Sequence, residues 1–169
     1  MAEMPAFKLG KIAHVCLVVE DIDKTVQAYY RDLGLGPWRI ITYGSAECKN
    51  GGTYRGEPGQ FRMRFAMTDV SGLMLELVQH LEGRTIYKDF LEKQGEGVHH
   101  IGVVVPELDE AVAQFEAMGF KAIMTADGFG KSEDGRFAYM GTEGELGTIY
   151  ELVQLPTVRF DPERFYPAQ

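Results

Sequence analysis

The chain repeats itself, and an internal repeat dictates architecture before any single residue is interpreted. IAHVCLVVEDIDKTV at 12–26 aligns with VHHIGVVVPELDEAV at 98–112, which superposes His14 on His100, 86 residues further on. LMLELVQ at 73–79 aligns with TIYELVQ at 148–154, which superposes Glu76 on Glu151, 75 residues further on. A length of 169 residues suits one domain of roughly 100–200 residues, here two half-modules sharing one core. Each half then contributes one histidine and one glutamate at matching places.

Both halves run through the same order of elements. Residues 11–19 form an apolar, β-branched run that reads as a strand, after which Asp21 or Asp23 caps a helix to about Leu33. Val26, Tyr29, Tyr30 and Leu33 recur at helical spacing, and Gly34 supplies a left-handed stop. In the second half 98–105 is the strand, Asp109 the cap, Val112, Phe115 and Met118 the stripe, and Gly119 the stop. Further strands are expected at about 38–43, 61–68 and 73–79, and again at 120–125, 136–140 and 147–154. Segment 84–94 places Ile86, Tyr87, Phe90 and Leu91 on one helical face and predicts a linking helix. The Gly-rich stretch 44–60 reads as a long loop or flap over a site, and SEDG at 132–135 as a turn. The expected organisation of 1–169 is one domain: module 10–80, linking helix 84–94, module 97–155, and an extended arm 156–169 serving packing or a dimer contact.

Charge narrows the partners. Lys+Arg is 17 against Asp+Glu 25, a formal charge of −8, so neither nucleic acid nor an anionic membrane is expected as the main partner. A phosphate-bearing small molecule stays compatible, because a few local cations suffice. The longest apolar runs, IGVVV and CLVV, fall far short of the roughly 18–20 residues that span a bilayer. The N-terminus, MAEMPAFKLGK, has no apolar stretch between a basic start and a cleavage site, so no secretory signal is expected. Cys16 and Cys48 make no disulfide framework, so a reducing cytoplasm is the expected setting.

Strand parity tests whether the four repeated side chains can meet. Ile12, His14, Cys16 and Val18 share one face of the first strand, opposite the all-apolar Ala13, Val15, Leu17 and Val19. His100 lies with Val98, Gly102 and Val104, while His99 falls in the apolar set. Glu76 and Glu151 likewise point away from their apolar neighbours. A lone histidine in an apolar strand is ordinarily a hydrogen-bonded core residue. A carboxylate inside LELV is harder to bury, since it needs an ion pair, a proton or a metal, and nothing basic is near either glutamate in sequence. Two imidazoles and two carboxylates suit a divalent first-row ion with positions left for water or substrate. These ligands do not choose among cobalt, zinc, nickel and manganese. Cys16 reads as a small buried hydrophobe, Trp38, Tyr43 and Tyr54 as core or pocket wall, and His80 and His99 as structural.

The repeat, the start HVCLVVEDIDK and the paired ELVQ strands resemble the vicinal oxygen chelate superfamily over about residues 10–155. That resemblance implies an α+β fold in which two tandem βαβββ modules form a cupped mixed sheet around a metal. Within the superfamily, LELVQHLEGRTIYKDFLEKQGEGVHHIGVVV (75–105) is most similar to methylmalonyl-CoA epimerases. By that likeness a divalent metal is held by His14, Glu76, His100 and Glu151. It binds an acyl-CoA, or another thioester or oxo acid, through adjacent oxygens and stabilises the enolate, in a homodimer. Epimerisation needs two acid/base groups. The resemblance implies Glu151, from the role of the last ligand, and Glu57, because PGQFRMRFAM after it resembles the strand that follows the family's loop glutamate. A glyoxalase-I-type lyase (lactoylglutathione lyase) acting on a hemithioacetal is the alternative, since it uses the same ligand set. An extradiol-type dioxygenase is disfavoured by the fourth ligand-type residue, Glu76, and a drug-binding protein of the bleomycin-resistance type ordinarily lacks these ligands.

Overall fold

The computed structural model describes residues 7–168; residues 1–6, and residue 169 at the end of the expected arm, lie outside the described residues. In chain order the elements are β1 (Ile12–Val18), α1 (Ile22–Leu33), β2 (Trp38–Gly44), a 3₁₀ turn (Ser45–Glu47), β3 (Gly52–Tyr54), β4 (Glu57–Pro58), β5 (Phe61–Val70) and β6 (Leu73–Gly83). They continue with α2 (Ile86–Gln94), β7 (Gly97–Val104), α3 (Leu108–Ala117), β8 (Ala122–Phe129), β9 (Gly135–Met140), the single turn α4 (Glu143–Leu146), β10 (Ile149–Gln154) and β11 (Arg164–Tyr166). Among the described residues no helix is long and apolar enough to cross a membrane.

Local chemistry explains the helix ends. Asp21 accepts from the Lys24 backbone N–H at 3.0 Å to start α1, and Gly34, at φ 67°, closes it in the left-handed region. Asp109 does not cap α3: the helix begins at Leu108 behind Glu107, and Asp109 instead pairs with Arg136 at 2.7 and 3.0 Å. The cap that the repeat does share comes from the two ELVQ strands. Gln79 Oε1 accepts from Ile22 N–H at 3.2 Å and Gln154 Oε1 from Leu108 N–H at 3.0 Å, so each module's last strand caps its own helix.

One sheet of 11 strands, ordered β11-β2-β5-β6-β1-β7-β10-β9-β8-β3-β4, carries both modules. β1 and β7 pair antiparallel at its centre, and β6 and β10 return parallel beside them. The outer edges are covered by exchange. β3 and β4, from the expected flap, extend the second module through β8, whereas β11, from the arm, extends the first through β2. The stretch 44–60 is therefore strand-bearing rather than an uncommitted loop. Gly52 permits this: a Cβ there would lie 2.4 Å from Thr125 O and 2.7 Å from the Phe61 ring. Paired in this way, β2 and β8 are covered, and the sheet ends instead on the short strands β11 and β4.

Three apolar clusters follow from strand alternation. Ile22, Val26, Trp38, Ile40 and Leu77 pack α1 onto the convex face of the first module, and Leu108, Phe115, Met140 and Leu152 pack α3 onto that of the second. The third cluster lines the concave face, with Cys16, Met63, Phe65, Val78, Phe137 and Tyr139 among its members and Ile86 and Tyr87 of α2 packed into it. With α1 and α3 on the outside, the hollow of the sheet is left for a site.

Candidate metal centre

His14, Glu76, His100 and Glu151 meet at the floor of that hollow, all buried. The two Nε2 atoms are 3.0 Å apart. Glu151 Oε2 is 2.8 Å from His14 Nε2 and 3.6 Å from His100 Nε2, and Glu76 Oε1 is 3.7 and 3.8 Å from the same two nitrogens. Register accounts for the meeting. Across the β1–β7 seam Gly102 faces His14 and Cys16 faces His100, while Glu76 lies level with Cys16 and Glu151 level with Gly102. Gly102 and Cys16 are repeat equivalents, and both are small. A Cβ on Gly102 would meet the His14 ring at 2.3 Å, so this strand position is kept open for the imidazole.

Along the β1–β7 seam parity fails at two residues: Ala13 is left unpaired between Ile12, facing Val103, and His14, facing Gly102, and packs against the concave cluster, and His99 is the other. The β1–β7 register slips so that Cys16 faces His100 but Leu17 faces Val98, which leaves His99 as an unpaired bulge. His99 is therefore not simply on the opposite face. Its Nδ1 lies 2.9 Å from His100 Nδ1, and its ring packs on Phe90 and Tyr87 of α2 with centroids 5.0 and 5.1 Å away. Burial, reinforced by His100, pushes His99 down to about 3, so it is neutral at physiological pH. Such a partner on the far nitrogen orients an imidazole for ligation. No sequence signal short of the bulge itself would have found it.

Electrostatics in the cluster are governed by burial and mutual charge. Burial disfavours a charged His14, but Glu76 and Glu151 overcome it and raise His14 to about 9. Burial would raise Glu151 too, yet the His14 charge and the close approach of both imidazoles hold it well below the usual carboxylate range. Cys16 is pushed well up by burial and by Glu76, so its thiol stays protonated and acts as a small apolar group. His80 sits outside the cluster, with Nδ1 3.0 Å from Thr85 Oγ1.

The donor set fits a divalent cation. Glu151 Oε2, buried, has charge attraction but no well-directed hydrogen bond, because the 2.8 Å approach of His14 is badly angled. The two imidazole nitrogens face each other rather than separate acceptors. His14, Glu76 and His100 bring their ligand atoms within 4.8 Å of one another, two nitrogens and a carboxylate that suit a first-row ion, and Glu151 lies against both imidazoles. Since ligation needs neutral imidazole and His14 holds its proton up to about 9, cation loading at pH 7.5 is expected to release about one proton. Calorimetry in two buffers of different ionisation enthalpy measures this, and identical heats in both would contradict it. Without a cation the sign is fixed by linkage: a group raised from 6.5 to about 9 stabilises the fold below pH 6.5 and loses that contribution as pH rises through 9.

Glu57 is not brought to the cluster. It lies exposed on β4 at the far edge of the sheet, carried there by the pairing of β3 with β8. The pocket above the cluster, of about 110 Å³, is lined by His14, Glu76 and Glu151 and by apolar side chains that include Ile41, Met67, Phe129 and Phe137. Tyr43 is in this wall, Trp38 is buried on the convex side under α1, and Tyr54 donates to Asp89 Oδ2 at 2.7 Å beside α2. Beside Leu155 at the end of the second module, the arm contributes Pro156, Arg159, Phe160 and Pro162 to the pocket, a role beyond the packing or dimer contact expected of it.

A family model described as the glyoxalase/bleomycin resistance protein/dioxygenase superfamily matches residues 13–139. No curated protein sequence matches the chain. Among solved structures, a variant methylmalonyl-CoA epimerase from Streptomyces coelicolor in complex with 2-nitronate-propionyl-CoA is 22% identical, with a TM-score of 0.63 over 87% of this chain and 98% of that one. The methylmalonyl-CoA epimerase from Mycobacterium tuberculosis is 19% identical, with a TM-score of 0.62 over 88% of this chain and 89% of that one. A variant 4-hydroxymandelate synthase from Streptomyces coelicolor is also 19% identical, with a TM-score of 0.62 over 90% of this chain but 41% of its own. Proteins with different names thus share the fold at similar distance.

Proposed function

We propose that this chain, which belongs to the glyoxalase/bleomycin resistance protein/dioxygenase superfamily, removes and returns a proton beside a carbonyl, as an epimerase of a methylmalonyl-type acyl thioester. The carrying observation is that Glu76 and Glu151, one from each module, are the carboxylates lining an otherwise mostly apolar pocket, and both lie against the histidine pair. A divalent cation held by His14, Glu76, His100 and Glu151 would supply Lewis-acid stabilisation of negative charge on the substrate's carbonyl oxygen.

The chain's own residues handle the proton. Glu151 is ionised while His14 is charged, and its Oε2 has no directed hydrogen bond to give up. Glu151 would be kept ionised by a bound cation in place of the His14 charge, so it is poised to accept a proton when its hold on the cation loosens. Glu76 occupies the repeat-related position in the other module, so removal and return can be divided between two carboxylates. The apolar walls exclude water from the carbanion-like carbon. The epimerases among the similar structures support the choice of an acyl-CoA substrate.

Glu57 gives weight to a second reading. With that glutamate outside the pocket, the acid/base groups are the two cluster carboxylates alone. The same pair would serve a lyase that moves a proton between adjacent carbons of a glutathione hemithioacetal. Solvent-deuterium exchange decides between them, using (2R)- and (2S)-methylmalonyl-CoA in parallel with the hemithioacetal of methylglyoxal and protein loaded with cobalt, zinc, nickel or manganese. Metal-dependent α-deuteration with interconversion of the epimers is expected. Turnover of the hemithioacetal with no exchange into either epimer would replace the epimerase reading by the lyase.

A further inference from the structure

Two arginines line the pocket without a counter-ion among the described residues. Arg39, Ile41 and Tyr43 form the concave side of β2, opposite Trp38 and Ile40 under α1. Arg39 is half-buried, and the polar neighbour it finds is the sulfur of Met74, 3.8 Å from Nη2. Arg159 joins it from the arm. The chain has nine arginines and a charge of −8, so carboxylates are plentiful. Six arginines are ion-paired (Arg31, Arg55, Arg62, Arg64, Arg136, Arg164), and Arg84 lies over the Tyr54 ring. Among the described residues Arg39 and Arg159 take part in neither arrangement. Burial, and then the nearby charge of Arg159, pull Arg39 below the usual arginine range, as expected where positive charge lacks compensation.

Their position sets the scale of the ligand. Arg39 pairs with Met67 on β5, and Met67 with Glu76 on β6. Arg39 is therefore two strand spacings, roughly 10 Å, from Glu76 along one rung of the sheet. Arg159 is held by the arm's anchors on either side. Thr157 N–H donates to Asp134 Oδ1 and Val158 N–H to Ser132 Oγ, each at 2.9 Å, while Glu163 N–H donates to Ile40 O at 2.8 Å. The guanidinium groups thus sit in a small pocket on fixed backbone, where a planar fork matches a carboxylate. A phosphate of a coenzyme A carrier would be a whole pantetheine arm from the reacting carbon, too far for this rung.

We propose that Arg39 and Arg159, outside the histidine–glutamate cluster, form a subsite for the free carboxylate of the acyl group and so act as specificity residues that select a carboxylated acyl thioester over an uncharged one. The inference rests on the enolising reading only in placing the thioester end at the histidine–glutamate cluster.

The test is calorimetric titration of the metal-loaded protein with methylmalonyl-N-acetylcysteamine, which carries the carboxylate and no phosphate, and with propionyl-N-acetylcysteamine, which lacks both. Wild type is expected to bind the carboxylated thioester at least about tenfold more tightly, the scale of a charged hydrogen bond. Arg39→Met and Arg159→Met should each remove most of that preference, leave propionyl binding unchanged and melt within a few degrees of wild type, and Arg39→Lys should restore part of it. Equal wild-type affinity for the two thioesters overturns the proposal, as does an equal loss for both in the variants. Loss of methylmalonyl-CoA binding with no change for the N-acetylcysteamine thioester assigns the arginines to a carrier phosphate and overturns the carboxylate subsite. Deuterium exchange is read separately on the same samples. Arginine-dependent preference without exchange would keep the subsite and reject the epimerase, and exchange without preference would do the reverse.

Discussion

Glu151→Gln is expected to slow α-proton exchange by at least about a hundredfold, the usual range for removing a general acid/base, at matched metal content. Glutamine keeps the shape and an oxygen ligand but cannot hold a proton. In the parent protein, Glu151 Oε2 lies against His14 in a site without a directed hydrogen bond, and the walls beyond it are mostly apolar. No other carboxylate of the pocket except Glu76 can substitute. Deuterium incorporation by mass spectrometry, with cobalt content measured on the same sample, separates lost chemistry from lost metal. Exchange within about threefold of wild type would remove Glu151 from the proton path.

Gly102→Ala should cost the cation site rather than the strand. Alanine is tolerated by extended backbone, so any penalty comes from the methyl group, which would sit 2.3 Å from His14 Cε1 and 2.5 Å from Nε2. The ring has nowhere to go: it is 5% exposed and bounded by Glu76, Glu151 and His100. Metal affinity is expected to fall by about 10–100-fold, as when a ligand's supporting partner is lost, with about 1–3 kcal/mol of overpacking. Adding His14→Ala to Gly102→Ala removes the clash, so the double variant should regain thermal stability without regaining metal. Unaltered cobalt affinity and melting temperature in the single variant would show that the ring can shift.

Much of this architecture was legible because the repeat doubled every signal. The two histidines and two glutamates are placed by strand parity, and parity holds wherever the ladder is regular, as at His14, Glu76 and Glu151. His99 escaped because a bulge is a property of pairing, invisible in HHIG read by itself. The α3 cap escaped for a related reason: Gln154 reaches Leu108 across the module, and only contact in space distinguishes it from Asp109. Glu57 was placed by likeness to a loop, but its neighbours Gly52–Tyr54 are recruited by β8, so the carboxylate follows them to the sheet edge. Arg39 and Arg159 lie far apart in sequence and meet only because the arm returns to β2.

The exchange of edge strands also sets an order of synthesis. All four cluster residues have been made by the time the chain reaches Glu151, yet the outer side of β2 receives its partner only from Arg164–Tyr166, which are made later. A nascent chain therefore owns a complete set of ligands while its first module still displays an open ladder, the geometry by which strands recruit foreign chains. A message truncated just after the second ELVQ would yield a polypeptide with its chemistry encoded and its adhesive edge unguarded.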